Sequence, residues 1–288
     1  MPGNVWFGTK ESMRWIPAPA VGVQAGKQGY SASAQFLNGG AWTRRSKGAA
    51  KRYAMSWNMR RVDELQPILD YANGVYGNGP LYYVDPFTMS KNVFPSYWAA
   101  PFINTYDGPV IIDETRPTVV NNSSSTNGYP VESAQYKVTS TSKVPSIFLP
   151  IPQGHTIYVG AHGSLQSGNA SVTVTPVINT LSNGPTTNLT LLAVNTNVRT
   201  NTSYSYASGY IGVTVSFAST SSGVIQLDGL IAQVAPDGAV LGSGGFISGM
   251  GSSGMSFVSE PSYEQYSAAL DRVGMSVELV ETEAWSWK

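Results

Sequence analysis

Hydrolysis, group transfer and metal chemistry each need a nucleophile, a proton carrier or a cage of ligands, and the 288 residues supply few of these. His155 and His162 are the only histidines. They flank an expected strand, His155 at its entry and His162 beyond its end, and two imidazoles without further ligands do not make a metal site. Both are expected to be ordinary loop histidines. The adjacent acids Asp113 and Glu114, and the pair Glu281 and Glu283, have the residue types of a glycosidase pair, whose carboxylates face each other at roughly 5 to 9.5 Å. Solvated strand faces account for them better. An enzymatic reading would place polysaccharide cleavage on Asp113, Glu114 or Asp228. The chain has no cysteine, so thiol nucleophiles, thiolate metal sites and disulfides are excluded. The run from Gly242 to Gly254 lacks the Gly-Lys-Ser or Gly-Lys-Thr ending of a phosphate-cradling loop, and no Gly-x-Ser-x-Gly elbow is present. The expectation is a protein that is not an enzyme and holds no cofactor or metal.

Two other groups suit binding. Arg44, Arg45, Lys47, Lys51 and Arg52 cluster among Trp42, Tyr53 and Trp57. Such a set can grip phosphates and stack on bases. Basic residues around edge strands also discourage indiscriminate pairing and meet acidic partners, and use at a subunit interface or a solvated edge is preferred, with Glu281 and Glu283 as the acidic counterpart. Farther along, Tyr136, Tyr158, Tyr204, Tyr206 and Tyr210 are candidate glycan contacts, because an aromatic ring suits the apolar face of a sugar. Core packing is an equal claim on them.

The elements that must position these residues are mostly strands. Charged residues are 12% with a net charge of zero, so neutral polar groups must cover the surface, a composition that favours β-sandwiches over helical bundles. The zero conceals a split: basic residues dominate before about Thr105, whereas Glu260, Glu264, Asp271, Glu278, Glu281 and Glu283 outweigh Arg272 and Lys288 after Phe246. Short strands are expected at Val5 to Gly8, Met13 to Ile16, Tyr30 to Leu37 and Trp42 to Arg45, with a hairpin turn at Asn38-Gly39-Gly40. Alternation over Arg52 to Met59 puts Tyr53, Met55, Trp57 and Met59 on one face. Apolar residues three and four apart predict a helix from Val62 to Asn73, stopped by Gly74, with Pro67 arguing for a start near Asp63 or Glu64.

Near Tyr106 the composition turns to Ser, Thr and Asn and loses Trp. Strands at Gln135 to Thr139, Ile147 to Leu149, Thr156 to Gly160, Ala170 to Pro176, Leu189 to Val194, Gly209 to Phe217 and Gly223 to Val234 predict a sandwich or jelly roll. The Gly-rich run reads as a flexible linker or loop. Glu264 to Leu270 is expected as a short helix and Gly274 to Trp285 as an alternating strand with Met275, Val277, Leu279 and Glu281 in one parity. Tryptophan returns at Trp285 and Trp287, so the C-terminal segment is expected to pack on the first. The fold class is thus mainly β: a split barrel or sandwich over 1–105 and 246–288 with one or two short helices, an inserted β-sandwich over 106–240, and a linker or loop over 241–254. No segment approaches the roughly 18 apolar residues of a membrane span, and membrane insertion is not expected.

Gly3-Asn4-Val5-Trp6-Phe7-Gly8, Leu37-Asn38-Gly39-Gly40-Ala41-Trp42 leading into Arg44-Arg45-Ser46-Lys47-Gly48-Ala49, Ile68-Leu69-Asp70-Tyr71-Ala72-Asn73-Gly74 and Tyr83-Val84-Asp85-Pro86-Phe87 resemble minor tail proteins of long-tailed actinobacterial phages, of the distal tail protein type. Ala134-Gln135-Tyr136-Lys137-Val138, Ile151-Pro152-Gln153-Gly154-His155-Thr156-Ile157-Tyr158 and Val224-Ile225-Gln226-Leu227-Asp228-Gly229-Leu230 are similar to carbohydrate-binding-module jelly rolls. The first resemblance implies a structural virion protein, made in the host cytoplasm. It would form a ring, commonly of six copies, that joins the tail tube to the tip or baseplate and leaves a passage for DNA. Its partners would be other copies, the tail tube protein and other tail-tip proteins. The second implies a host adsorption module that binds cell-wall glycan.

Overall fold

A computed structural model of the chain describes residues 4–20, 24–28, 31–35, 41–45, 50–101, 110–113, 115, 117–121, 132–179, 181–191, 198–239, 245–267 and 271–282. The protein is mainly β, with antiparallel sheets, three short helices and no closed barrel among these residues. The strands of the first part are β1 (Asn4–Thr9), β2 (Ser12–Pro17), β3 (Gln24–Gln28), β4 (Ser31–Gln35), β5 (Ala41–Arg45) and β6 (Ala50–Arg61), followed by helix α1 (Val62–Ala72), β7 (Leu81–Val84), α2 (Pro86–Met89) and α3 (Ser96–Ala99). The middle contains β8 (Thr118–Asn121), β9 (Glu132–Thr139), β10 (Ile147–Pro150), β11 (His155–Asn179), β12 (Ser182–Asn183), β13 (Thr187–Leu189), β14 (Val198–Ser205) and β15 (Gly212–Pro236). The chain closes with β16 (Met255–Phe257), β17 (Ser262–Ser267) and β18 (Arg272–Glu281). No described helix is long and apolar enough to cross a membrane.

One sheet runs β2-β1-β7-β16-β18-β6-β3, with β17 lying beside β18. Strands β16 and β18 therefore sit between β7 and β6, both from the first part of the chain. The parity of β18 explains the placement: Met275, Val277 and Leu279 point into a core with Val5, Phe7, Tyr53, Met55 and Trp57, and α1 closes that core with Leu65, Ile68 and Tyr71. Helix α1 starts at Val62, and Pro67 lies past its first turn rather than within it. Two local expectations are corrected here. Met59 leaves the buried parity of β6, because the register with β18 shifts between Val273 and Met275 and Met59 adopts φ 56°, which turns it out to 58% exposure. The segment beginning at Glu264 is strand β17 rather than a helix, since pairing with Arg272 to Ser276 of β18 satisfies its backbone and outweighs local helical preference. The turn at Asn38-Gly39-Gly40 lies outside the described residues.

The second sheet is dominated by β11 and β15, 25 residues each, which pair along nearly their whole length. The sequence pattern broke each into two strands for a physical reason. Register shifts near His162, Leu165 and Gly168 move the buried parity of β11 from Ile157, Val159 and Ala161 to Ala170, Val172 and Val174, as β-bulges do. Both halves reach one core, so the ribbon folds over itself as a sandwich. That core is shared with the first part of the chain. Phe94 stacks on Trp98 (6.2 Å, 13°), Trp98 on Phe217 (6.0 Å, 17°), and Phe217 lies 5.5 Å from Tyr136. Asn92, fully buried, donates to the carbonyls of Leu230 and Ile247 and accepts from the amides of Ala232 and Phe94.

The Gly-rich run is a loop whose described part is tightly held. Met250 and Gly251 donate to the carbonyls of Asn92 and Phe94, and a Cβ on Gly251 would lie 1.7 Å from the Val93 oxygen. Only glycine allows the two backbones that approach.

Candidate functional site

Among the basic residues, Arg44 and Arg45 end β5, paired in register with Ala32 and Ser31 of β4. Strands β4 and β5 form a two-stranded sheet of their own. Lys47 and Glu283 lie outside the described residues. Lys51 and Arg52, on β6, are engaged within the chain. Lys51 Nζ donates to the carbonyls of Met250 and Gly251 and sits 5.3 Å from the Tyr53 ring centre, while Arg52 pairs with Glu278 at 2.8 Å. Glu281, expected at a subunit interface, is instead 5% exposed. Its carboxylate accepts from the Ser253 amide (2.7 Å) and hydroxyl (2.9 Å), the Lys51 amide (3.3 Å) and the Tyr97 hydroxyl (3.5 Å). A carboxylate on the buried parity of a strand must find such donors, and here it fastens the Gly-rich run to β18.

The tyrosines divide. Tyr136 is a core residue, 2% exposed, whose hydroxyl donates to the Val110 carbonyl and whose pKa burial pushes well above the usual tyrosine value. That removes it from the glycan candidates, because its ring has no open face. Tyr158, Tyr204, Tyr206 and Tyr210 are half-buried. Tyr158 donates to the Ala239 carbonyl (2.7 Å) and Tyr204 to Thr187 Oγ1 (2.7 Å), and the Tyr204 and Tyr210 rings meet edge to face at 5.5 Å. Tyr206 joins a different set. Its ring is 6.3 Å from Trp6, which is 5.0 Å from Trp15, which in turn is 5.6 Å from His155. Strand β2 of the first sheet thus supplies the sandwich with the tryptophan its own sequence lacks. Trp15, His155 and Tyr206 are each partly exposed. No local sequence signal joins them, since they come from three distant places.

His162 is the largest surprise of the middle region. It lies inside β11, 2% exposed, with Nδ1 2.8 Å from Asp228 Oδ2. Asp228 is the residue left over where His162 pairs with Gly229 and Gly163 with Leu227, so a bulge aims it at the imidazole. Gly163 makes the bulge possible: a Cβ there would lie 2.1 Å from the Gln226 carbonyl. Ser133 donates to the other oxygen of Asp228, and a row of side-chain bonds continues through Gln226 to Gln166 and Ser164. The carboxylate stands between hydroxyl and imidazole, so Ser133 gives its proton to the acid and not to the base of a relay. Asp113 is spent locally, accepting from the Ser142 hydroxyl and the Lys143 amide, bonds that hold its carboxyl below the usual range. No group of three or more potential metal ligands occurs among the described residues.

A third surface was not foreseen. All residues of β17 with described side chains, Ser262 to Tyr266, are exposed, with Tyr263 at 67% and Tyr266 at 45%. Val258, Glu260 and Glu264 belong to the same exposed stretch.

No family model matches the chain, and no curated protein matches it. Solved structures share parts of its shape. TmCBM61 in complex with beta-1,4-galactotriose is 15% identical over 50% of this chain and 98% of its own, with a TM-score of 0.33. The CBM22-1-GH10 modules of Clostridium thermocellum xylanase 10B, complexed with xylohexaose, are 11% identical over 50% of this chain and 29% of theirs, at 0.31. The enzymatically active domain of bacteriophage CBA120 tailspike protein 4 is 13% identical over 53% of this chain and 22% of its own, at 0.32.

Proposed function

We propose that the chain is a structural protein of a phage tail tip, whose first sheet assembles with other copies into a ring joining tube to tip while the sandwich is carried on it. The observation that carries the reading is the open first sheet: among the described residues its path ends on β2 and β3, β17 lies exposed along β18, and the β4–β5 ribbon pairs with no third strand. Unpaired edges are templates for other chains, and a two-stranded ribbon is marginal alone in water. The core shared through Phe94, Trp98 and Phe217 suits a part that transmits force. The motif resemblance of the first hundred residues supports the same reading. Light scattering of the purified chain, followed by electron microscopy, tests it: closed rings are expected, and a monomer at every concentration that never enters virions would end it.

A second reading, host-glycan adsorption, is favoured by the Trp15, His155 and Tyr206 group, in which partly exposed aromatic rings meet at the border of the two sheets. Retention of the full chain on host cell-wall material, reduced by Trp15→Ala and Tyr206→Ala, is its expected result. Equal retention of the variants and the parent chain would refute it.

A further inference from the structure

The rings of Trp15, His155 and Tyr206 carry hydrogen-bonding atoms that the chain itself does not use. His155 Nδ1 lies 3.1 Å from the Gln153 carbonyl. A carbonyl only accepts, so the hydrogen sits on Nδ1 and Nε2 is left as an acceptor. His155 Nε2, the Trp15 indole N–H and the Tyr206 hydroxyl have no partner among the described residues, and none of the three is a buried atom. Other half-buried tyrosines of the sandwich differ in this respect. The Tyr158 and Tyr204 hydroxyls are satisfied within the chain, by the Ala239 carbonyl and by Thr187 Oγ1. Trp6, 4% exposed, lies under the group and meets the rings of Trp15 and Tyr206 edge-on. It is the positioning residue that seats both.

These atoms narrow the class of ligand. One donor, one acceptor and one hydroxyl that does both suit a molecule that gives and takes hydrogen bonds around an apolar face. A phosphate or carboxylate offers acceptors only and would leave His155 Nε2 unmet. Ions that could hold such a group are turned elsewhere. Arg14, next to Trp15 on β2, has its guanidinium 4.5 Å from the Tyr76 ring centre, and successive side chains of a strand point to opposite faces. By the same alternation Thr156 faces away from His155, and it is Thr156 that engages Asp237, at 2.7 Å. Between Val144 and Leu227 the chain has one Lys, Arg, Asp or Glu, Arg199. A proline-rich peptide would stack on the rings but supplies few N–H donors. A sugar has both parts, an apolar ring face and hydroxyls that donate and accept.

We infer that this group grips an uncharged glycan, with sugar faces against its rings and sugar hydroxyls met by the Trp15 N–H, His155 Nε2 and the Tyr206 hydroxyl. The inference rests on the adsorption reading above and names its ligand class and polar contacts. The full chain is tested on the neutral and the acidic polysaccharide fractions of host cell wall. Retention on the neutral fraction is expected, and it should be insensitive to salt between about 0.05 and about 0.5 M, a range over which ionic contacts fade. Trp15→Phe, His155→Phe and Tyr206→Phe each keep an aromatic ring and remove the polar atom, and each is expected to weaken binding about three- to tenfold. His155→Gln restores an acceptor and should bind more tightly than His155→Phe, a rescue that a purely packing role does not produce. Binding at the parent level by His155→Phe and Tyr206→Phe would overturn these contacts while leaving adsorption standing, as would retention on the acidic fraction alone that fades with salt. A parent chain retained on neither fraction would overturn both.

Discussion

The two sheets each bury an acid, and they satisfy it in opposite ways. In the first sheet Glu281 sits at the end of β18 and collects neutral donors, two from Ser253 and others from Lys51 and Tyr97. In the sandwich Asp228 sits on a bulge in mid-strand and is matched by a histidine and a serine, all three nearly inaccessible. The first arrangement ties down a loop, whereas the second lies between the two longest strands. A buried acid met by neutral donors keeps most of its hydrogen bonds as an amide, whereas removing one that meets an imidazole and a hydroxyl in a packed sheet strands both.

That contrast can be broken from its largest consequence downward. Trp98→Ala removes the ring stacked between Phe94 and Phe217 and is expected to cost about 3–5 kcal/mol. It should also split thermal unfolding into two calorimetric transitions, where one is expected for the parent because the core is shared. Asp228→Ala leaves His162 and Ser133 facing an unfilled buried site, and a loss of about 3 kcal/mol or more in denaturant unfolding is expected. Glu281→Gln keeps the shape and most acceptors, so about 1–2 kcal/mol is expected, with faster amide exchange confined to the Gly-rich run as the distinguishing sign. If the two acids proved equally costly, the contrast would fail.

Smaller effects sharpen the picture. Met59→Gly relieves a left-handed backbone at an exposed bulge, and stability should change by no more than about 1 kcal/mol, upward. Asp113 has a folded pKa held down by the Ser142 hydroxyl and then by the Lys143 amide. A lowered acid pKa contributes stability above the ordinary carboxylate range, and that contribution is lost as pH falls through the lowered folded value. An NMR titration of the Ser142→Ala variant should move the Asp113 pKa upward.

Much of the first sheet was legible: β1 and β2 fall where short strands were expected, and β6 and β18 overlap the segments read from alternation. What was missed had weak local signals. Strands β3, β8, β14 and β16 contain Gly, Ser, Thr or Asn where alternating apolar residues were sought, and they exist because neighbouring strands offer paired backbone. The candidate sites were less legible than the fold. Tyr136 and Glu281 have residue types suited to contacts, yet both occupy buried parities, and sequence shows type more readily than depth. His162 looked like a loop residue because the bulge beside it interrupts the period.

The amino-acid order by itself determined the class of structure, through composition, turn residues and period-2 patterning, because those signals act within a few residues along the chain. It also determined the opposition of charge between the two ends. Tertiary structure alone decided which charges are spent internally, that Trp15 meets His155 and Tyr206, and that β17 remains uncovered. Those outcomes depend on packing between segments that are mostly far apart in the chain, where burial and pairing are set by what arrives on the other side.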